Sequence, residues 1–219
     1  MSATTKRDLK HELKELYRAH RDPELIEVPE RTFLMIDGRG DPNTAIGYAQ
    51  AIEALFSIAY TAKFSLKRAP DGIDYAVPPL EGLWWSAGAS FPTENKSSWE
   101  WTMMLPQPDV VTSQIFVAAR AAANERKPLA AIGLVRLERF KEGRAAQILH
   151  LGPYAEEAPT IQRLHAFIAE QACEQTGKHH EIYLGDPRRT APEKLRTIIR
   201  QPVRPASSER RSEGAAALP

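Results

Sequence analysis

A carboxylate and a phenol occupy alternate positions of one predicted strand. Within residues 179–184, Glu181 and Tyr183 share one strand face, and Ile182 and Leu184 share the other. We expect Ile182 and Leu184 to pack on the helices, which directs Glu181 and Tyr183 into a cleft. A partly desolvated carboxylate beside a phenol can act as a base or anchor a cation. The simpler interpretation is a solvated strand face, the usual position of an isolated Glu.

The four tryptophans of the chain all lie on one predicted hairpin. Trp99, Trp101 and Met103 share one strand face, whereas the adjacent Trp84 and Trp85 point to opposite faces. A tryptophan-rich core would explain any one of them, but four indoles on one hairpin favour a flat aromatic wall for planar ligands. The predicted ligand-binding residues are Trp84, Trp99, Trp101, Met103 and Tyr154.

The sequence lacks the common signatures of metal, nucleotide and acyl-transfer chemistry. His179 and His180 are adjacent and point to opposite faces of a strand, so they cannot bind one ion together. The segment 38–40 lacks the further glycine and the lysine of a phosphate-binding loop, and no Gly-x-Ser-x-Gly motif occurs. Cys173 lies on a predicted helix, where packing is the simplest role. We therefore expect no metal and no cofactor.

Composition is typical of a globular protein in a reducing compartment. The chain has 219 residues, a formal net charge of +1 and a single cysteine. Its N-terminus is charged rather than apolar, and no apolar run approaches the length that spans a bilayer. We expect a cytoplasmic protein whose partners are hydrophobic aromatic small molecules, not nucleic acid or membrane.

The order strand, helix, strand, strand occurs twice along the chain. The predicted elements are strand 31–38, a helix ending near residue 64, strands 80–87 and 98–105, helix 110–124, strands 130–140 and 145–151, a helix carrying Ile161, Leu164 and Ile168, and strands 179–184 and 194–200. The pattern predicts an α+β fold of two strand–helix–strand–strand modules, about 31–108 and 144–203, related by a pseudo-twofold axis. We expect their antiparallel sheets to meet face to face, with a ligand cleft between them.

Three regions follow from this division of the chain. Residues 1–30 form a predicted docking segment, with a helix over 5–20 that carries an apolar stripe. Residues 31–204 form the ligand-binding domain. Residues 205–219 lack apolar periodicity, which predicts a disordered tail.

Several runs of the sequence resemble the GyrI-like small-molecule-binding domain in its stand-alone form. They are LEGLWW at 80–85, WEWTMM at 99–104, HEIYLGDP at 180–187 and TAPEKL at 190–195. The resemblance covers about residues 5–204 and implies two SHS2 modules with the ligand between them. Related modules serve as the drug-sensing half of transcription activators and in a DNA-gyrase inhibitor. Glu181 matches the acidic residue at the pocket centre, and Tyr183 matches its strand neighbour.

The branch most similar to this chain includes hydrolases of cyclopropanoids, which are DNA-alkylating natural products. A spirocyclopropane conjugated to a dienone opens when a nucleophile attacks its methylene, because an aromatic phenol forms. The reaction needs a base, a flat apolar slot and a donor toward the phenolate. The resemblance implies that Glu181 is the base, that the tryptophans form the slot and that Tyr183 positions water or donates.

Three functions are consistent with the sequence. The first is cofactor-independent hydrolysis of cyclopropanoids. The second is a binding protein without turnover that sequesters or senses drugs, with Glu181 as a cation anchor. The third is a gyrase-inhibitor-like interaction module, which no charged surface in the sequence favours. A transcription activator is not expected, because residues 1–30 are too short for a helix-turn-helix domain and linker.

Overall fold

A computed structural model describes residues 7–70, 72–86 and 95–206 of the chain. These residues contain nine strands and five α-helices. The helices are α1 (Leu9–Glu12), α2 (Lys14–Tyr17), α3 (Ile46–Arg68), α4 (Ser113–Arg126) and α5 (Ala158–Glu170). The strands are β1 (Glu24–Val28), β2 (Arg31–Arg39), β3 (Glu81–Ser86), β4 (Trp99–Pro106), β5 (Arg136–Phe140), β6 (Gly143–Leu151), β7 (Cys173–Gln175), β8 (His179–Tyr183) and β9 (Arg196–Pro205). No helix of this described part is long and apolar enough to cross a membrane. Of the tail predicted over residues 205–219, residues 207–219 lie outside the described part of the chain.

Two strand–helix–strand–strand modules form one antiparallel sheet, which confirms the predicted fold class. The first is β2-α3-β3-β4 and the second is β6-α5-β8-β9, interrupted by the short β7. Their strands occupy the order β1-β6-β9-β8-β3-β4-β2-β5, with β7 paired to β9. The expectation that the two sheets meet face to face is wrong. Instead, β3 pairs with β8 edge to edge, which satisfies the backbone groups of both edge strands.

The outermost strands exchange between the modules. β1 precedes the first module but pairs with β6 of the second, and β5 precedes the second but pairs with β2 of the first. The alternating sequence of β1 (ELIEV) was not predicted as a strand. The single helix predicted over 5–20 is divided into α1 and α2 at Leu13, whose backbone leaves the helical region at φ −125° and ψ 50°. Similarly, residues 132–134 form a 3₁₀ turn, which shortens the strand predicted over 130–140.

Both long module helices cover the same face of the sheet. Alanines of α3, among them Ala54 and Ala59, pack against Ile36, Trp101 and Met103, and their small side chains allow a close approach of helix and sheet. On the second module, Ile161 and Leu164 of α5 pack against Ile148 and Ile199. We call this the helix face. The register places Gly82, Glu181 and Ile199 side by side on it.

The opposite face of the second module is covered by the N-terminal segment. Leu16 and Tyr17 pack against Ile182 and Ile198 there, with Leu184 beside them. The prediction that Ile182 and Leu184 pack on the module helices is therefore wrong. Alternation along β8 correctly separated the two faces, but it does not reveal which face the helices cover.

A buried charge cluster joins the N-terminal segment to β8. His180 Nδ1 lies 2.9 Å from Glu142 Oε1 and its Nε2 lies 3.0 Å from Glu81 Oε2. Because carboxylates only accept, both ring nitrogens carry hydrogen and the imidazole is charged. Arg200 donates to Glu142 and to the Leu16 carbonyl. Burial opposes the charge, but the Glu142 and Glu81 carboxylates outweigh it and raise the pKa of His180 to about 9.

The His180 cluster predicts that stability declines in mild alkali. Since the pKa of His180 is raised from 6.5 to about 9, its stabilisation is present below pH 6.5 and is lost as the pH rises through about 9. Over this window we expect the free energy of unfolding to fall by roughly 3 kcal/mol. Denaturant unfolding at a series of pH values measures it. His180→Gln should be less stable and should flatten this slope, whereas the exposed His11→Gln should keep it. An unchanged slope in His180→Gln would contradict the assignment.

Candidate functional site

The centre of the helix face lies at the seam between the two modules. There Glu181 of β8 is directly opposite Gly82 of β3. His179 and Tyr183 flank Glu181 on the same face, and the other face carries His180 and Ile182. The side chain of Glu181 is 12% exposed. A carboxylate at this depth needs hydrogen-bond donors.

Two side chains of the same strand donate to Glu181. The Tyr183 hydroxyl donates to Oε2 at 2.8 Å, and His179 Nε2 lies 3.1 Å from Oε1. Because a carboxylate only accepts, the hydrogen of His179 in this pair is on Nε2. Trp84 Nε1 in turn donates to the Tyr183 oxygen at 3.0 Å. The single phenolic proton of Tyr183 is therefore committed to Glu181.

The phenols around Glu181 keep their protons at neutral pH. Burial raises the pKa of Tyr183 well above its usual range, and the negative charge of Glu181 raises it further. The same two causes raise the pKa of Tyr48, which hydrogen-bonds to Tyr183. The hydrogen bond with Tyr183 acts in the opposite direction on the pKa of Tyr48, but it does not outweigh burial. These tyrosines act as donors rather than as bases.

Glu157, at the start of α5, brings a second carboxyl group to Glu181. It is 5% exposed, and its Oε1 has no hydrogen-bond partner among the described residues. Burial raises the pKa of Glu157 well above 4.5, and the adjacent charge of Glu181 raises it further. The Thr197 side chain acts in the opposite direction. The protonated form of Glu157 is thus favoured, and the pair carries one negative charge rather than two.

Aromatic rings surround the carboxyl pair at two depths. Trp84, Trp101 and Met103 are at most 3% exposed, so they form a backing layer beneath Tyr48, whose ring lies 5.3 Å from that of Trp101. The half-buried Trp99 packs edge-on against Trp84, and Tyr154 packs edge-on against Tyr183. All seven residues predicted for the site, Trp84, Trp99, Trp101, Met103, Tyr154, Glu181 and Tyr183, therefore belong to the helix face; direct ligand contact by each stays a prediction.

Comparison with known families matches residues 21–204 to the GyrI-like small molecule binding domain. That match covers most of the chain. The protein belongs to the GyrI-like family. The two modules described above are thus the family's small-molecule-binding fold in this chain.

Solved structures from Listeria innocua resemble this GyrI-like domain closely. One, an uncharacterized conserved protein, is 45% identical with a TM-score of 0.85. Two others, both described as hydrolases, are 42% identical with TM-scores of 0.80 and 0.83. In each case the similarity covers 91% of this chain and 100% of the other. No curated protein matches the chain.

Sequence reasoning missed four residues of the candidate site: Tyr48, Gly82, Glu157 and His179. Of these, His179 could have been predicted from the sequence, since strand alternation places it on the same face as Glu181 and Tyr183. Tyr48 and Glu157 come from the first turns of α3 and α5, and no local pattern indicates that these helix starts meet. Gly82 is important because of what it lacks. A Cβ there would lie 2.8 Å from Trp84 Nε1 and 3.2 Å from the Tyr183 hydroxyl.

A hollow lies on the face of the first module opposite to the helix face. Its volume is about 530 Å³, and its lining includes Met35, Leu83, Trp85 and Phe140. Arg136 pairs with Asp37 at its rim, and the Lys178 ammonium lies 3.2 Å from the centre of the Trp85 ring. The carboxyl pair, by contrast, lies on the helix face. Trp85 consequently serves as a control for ligand contact on that face.

Gly82→Ala should disturb the packing of Trp84 and Tyr183 in the candidate site. The new methyl group forces apart Trp84 and Tyr183, so we expect a loss of about 1–3 kcal/mol in the free energy of unfolding together with a change in tryptophan emission. Gly133→Ala is the matched control, because a Cβ there meets nothing within 4 Å. Denaturant unfolding monitored by fluorescence compares the two. Wild-type stability and emission in Gly82→Ala would contradict the tight packing described here.

Proposed function

We propose that this GyrI-like protein binds flat, hydrophobic aromatic molecules on its helix face and hydrolyses the cyclopropane of cyclopropanoid alkylating agents. The observation that carries the proposal is the Glu181 carboxylate at the module seam, held by Tyr183 and His179 and bordered by aromatic rings. Hydrolase descriptions of two relatives that are 42% identical support the reaction class. The resemblance to cyclopropanoid hydrolases supports the substrate class.

In the proposed reaction Glu181 removes a proton from a water molecule. The water oxygen forms a bond to the cyclopropane methylene as the bond between that methylene and the spiro carbon breaks. The electron pair moves through the dienone to its oxygen, and the ring becomes aromatic. The dienone oxygen, now a phenolate, becomes a phenol on taking up a proton, and Glu181 then returns its proton to solvent. Tyr183 is the positioning residue for Glu181, since its proton is already committed to that carboxylate.

A binding protein without turnover is the second candidate. One ionised carboxylate among aromatic rings is also a good environment for a lipophilic cation. The pairing of Glu157 with Glu181 limits this charge to one. Such a protein would need the charge of Glu181 but not its ability to accept a proton, and this difference separates the two functions experimentally.

The position of the ligand is tested with two tryptophan variants. Trp99→Ala removes a half-buried ring from the helix face, so we expect binding of a planar aromatic probe to weaken by about 1–3 kcal/mol. Trp85→Ala removes a ring from the opposite face and should leave the affinity unchanged. Saturable quenching of the other tryptophans measures both. The reverse result would place the ligand in the hollow beside Trp85.

Glu181→Gln tests the reaction itself. The amide keeps the shape of the side chain but cannot accept the proton, so kcat should fall by roughly 10²–10⁴-fold with little change in binding. Tyr183→Phe should cost less, because His179 still holds Glu181. The exposed Glu193→Gln is the control and should keep full activity. Formation of the water adduct is followed by mass spectrometry with a spirocyclopropyl dienone. A wild-type protein that binds without forming the adduct would favour the second candidate, and full activity in Glu181→Gln would remove Glu181 from the mechanism.

A further inference from the structure

The proposed reaction needs a group that donates a hydrogen bond to the dienone oxygen, in addition to the base Glu181. Cyclopropane opening develops negative charge on the dienone oxygen, and a donor there lowers the barrier. Tyr183 cannot supply it while its proton is bound to Glu181 at 2.8 Å. The Tyr48 hydroxyl is engaged in a hydrogen bond with Tyr183. A group other than these two phenols is therefore the better candidate for the donor to the substrate.

Tyr154 meets the requirements for this donor. It begins the 3₁₀ turn Tyr154–Glu156, which joins β6 to α5 and precedes Glu157. Its ring packs edge-on against Tyr183, with the ring centres 5.5 Å apart. The side chain is 37% exposed, and no described residue hydrogen-bonds to its hydroxyl. Burial, and then the negative charge of the Glu157–Glu181 pair, raise the pKa of Tyr154 to about 12, so the hydroxyl keeps its proton at neutral pH.

We propose that Tyr154 is a catalytic residue. It donates a hydrogen bond to the dienone oxygen of the substrate, which becomes the phenol oxygen of the product. This inference rests on the proposed hydrolysis. As the bond from the methylene to the spiro carbon breaks, the electron pair reaches the dienone oxygen, which the Tyr154 hydroxyl stabilises. The water proton goes to Glu181. The phenolate then takes a proton from solvent, and Tyr154 keeps its own.

The placement of the two groups restricts the substrate. Glu181 belongs to β8, whereas Tyr154 belongs to the turn before α5, and the two contact different parts of Tyr183: Glu181 accepts from its hydroxyl, and Tyr154 packs against its ring. The base and the donor therefore serve atoms on different parts of the ligand. A dienone places its oxygen across the ring from the methylene that water attacks. An epoxide, whose oxygen is bonded to the attacked carbon, does not match this separation.

Tyr154→Phe is the decisive variant, because it removes only the exposed hydroxyl. Wild type and variant are compared with a series of spirocyclopropyl dienones whose product phenols differ in acidity. We expect kcat to fall by about 10–100-fold, somewhat less than for a fully buried oxyanion donor because Tyr154 is partly exposed, with little change in KM. The loss should be largest for the least acidic product phenol. Tyr60→Phe, which removes another exposed hydroxyl, should change nothing.

The outcomes separate this inference from the proposed function. If wild type forms the water adduct and Tyr154→Phe loses kcat in the expected order, the donor role is supported. If wild type is active and the variant has the same kcat, or loses it equally for every leaving group, the donor role is overturned while hydrolysis stands. If wild type never forms the adduct, hydrolysis and the donor role are both overturned. Equal thermal unfolding of the two proteins excludes a folding effect.

Discussion

The antiparallel pairing of β3 with β8 is the interaction on which the rest of the structure depends. It converts two three-stranded units into one sheet and places Glu181 opposite Gly82. A residue with a side chain at position 82 would occupy the space of the Tyr183 hydroxyl and Trp84 Nε1. The seam therefore supplies both the site and the room for the donors that make a deep carboxylate tolerable. A slip of one residue in this register would move Glu181 to the opposite face.

Strand periodicity and element order predicted much of this arrangement, and the errors have a common origin. Alternation correctly grouped Glu181 with Tyr183 and Trp99 with Trp101, since it depends only on backbone geometry. It could not show what covers each face. Ile182 packs against Leu16 and Tyr17, which are far away along the chain. Likewise, Trp101 is buried because Gly38 leaves space for its ring: a Cβ at Gly38 would lie 2.0 Å from it. Such contacts join distant segments, and no local pattern records them.

Charged groups lie in different surroundings on the two faces of β8. On the face covered by the N-terminal segment, His180 is enclosed between Glu81 and Glu142, and Arg200 links this cluster to the N-terminal segment. Removing one partner of such a buried cluster is costly, because the remaining charge is left uncompensated. On the helix face, Tyr183 and His179 donate to Glu181, and protonation of Glu157 avoids a second negative charge. The His180 cluster thus holds in place the strand that carries Glu181, while the charge of Glu181 stays available to a ligand.

That availability distinguishes a base from an anchor. A carboxylate has about four lone-pair positions on its two oxygens. Tyr183 uses one on Oε2, His179 uses one on Oε1, and the protonated Glu157 uses a third, which leaves about one position for a further donor. A water molecule bound at that position has its proton directed at the carboxylate and its oxygen free to attack. An anchor for a cation would need only the charge, which the donors partly neutralise. The donors orient the carboxylate and leave it a position for water, which agrees with the role of base that we propose for Glu181.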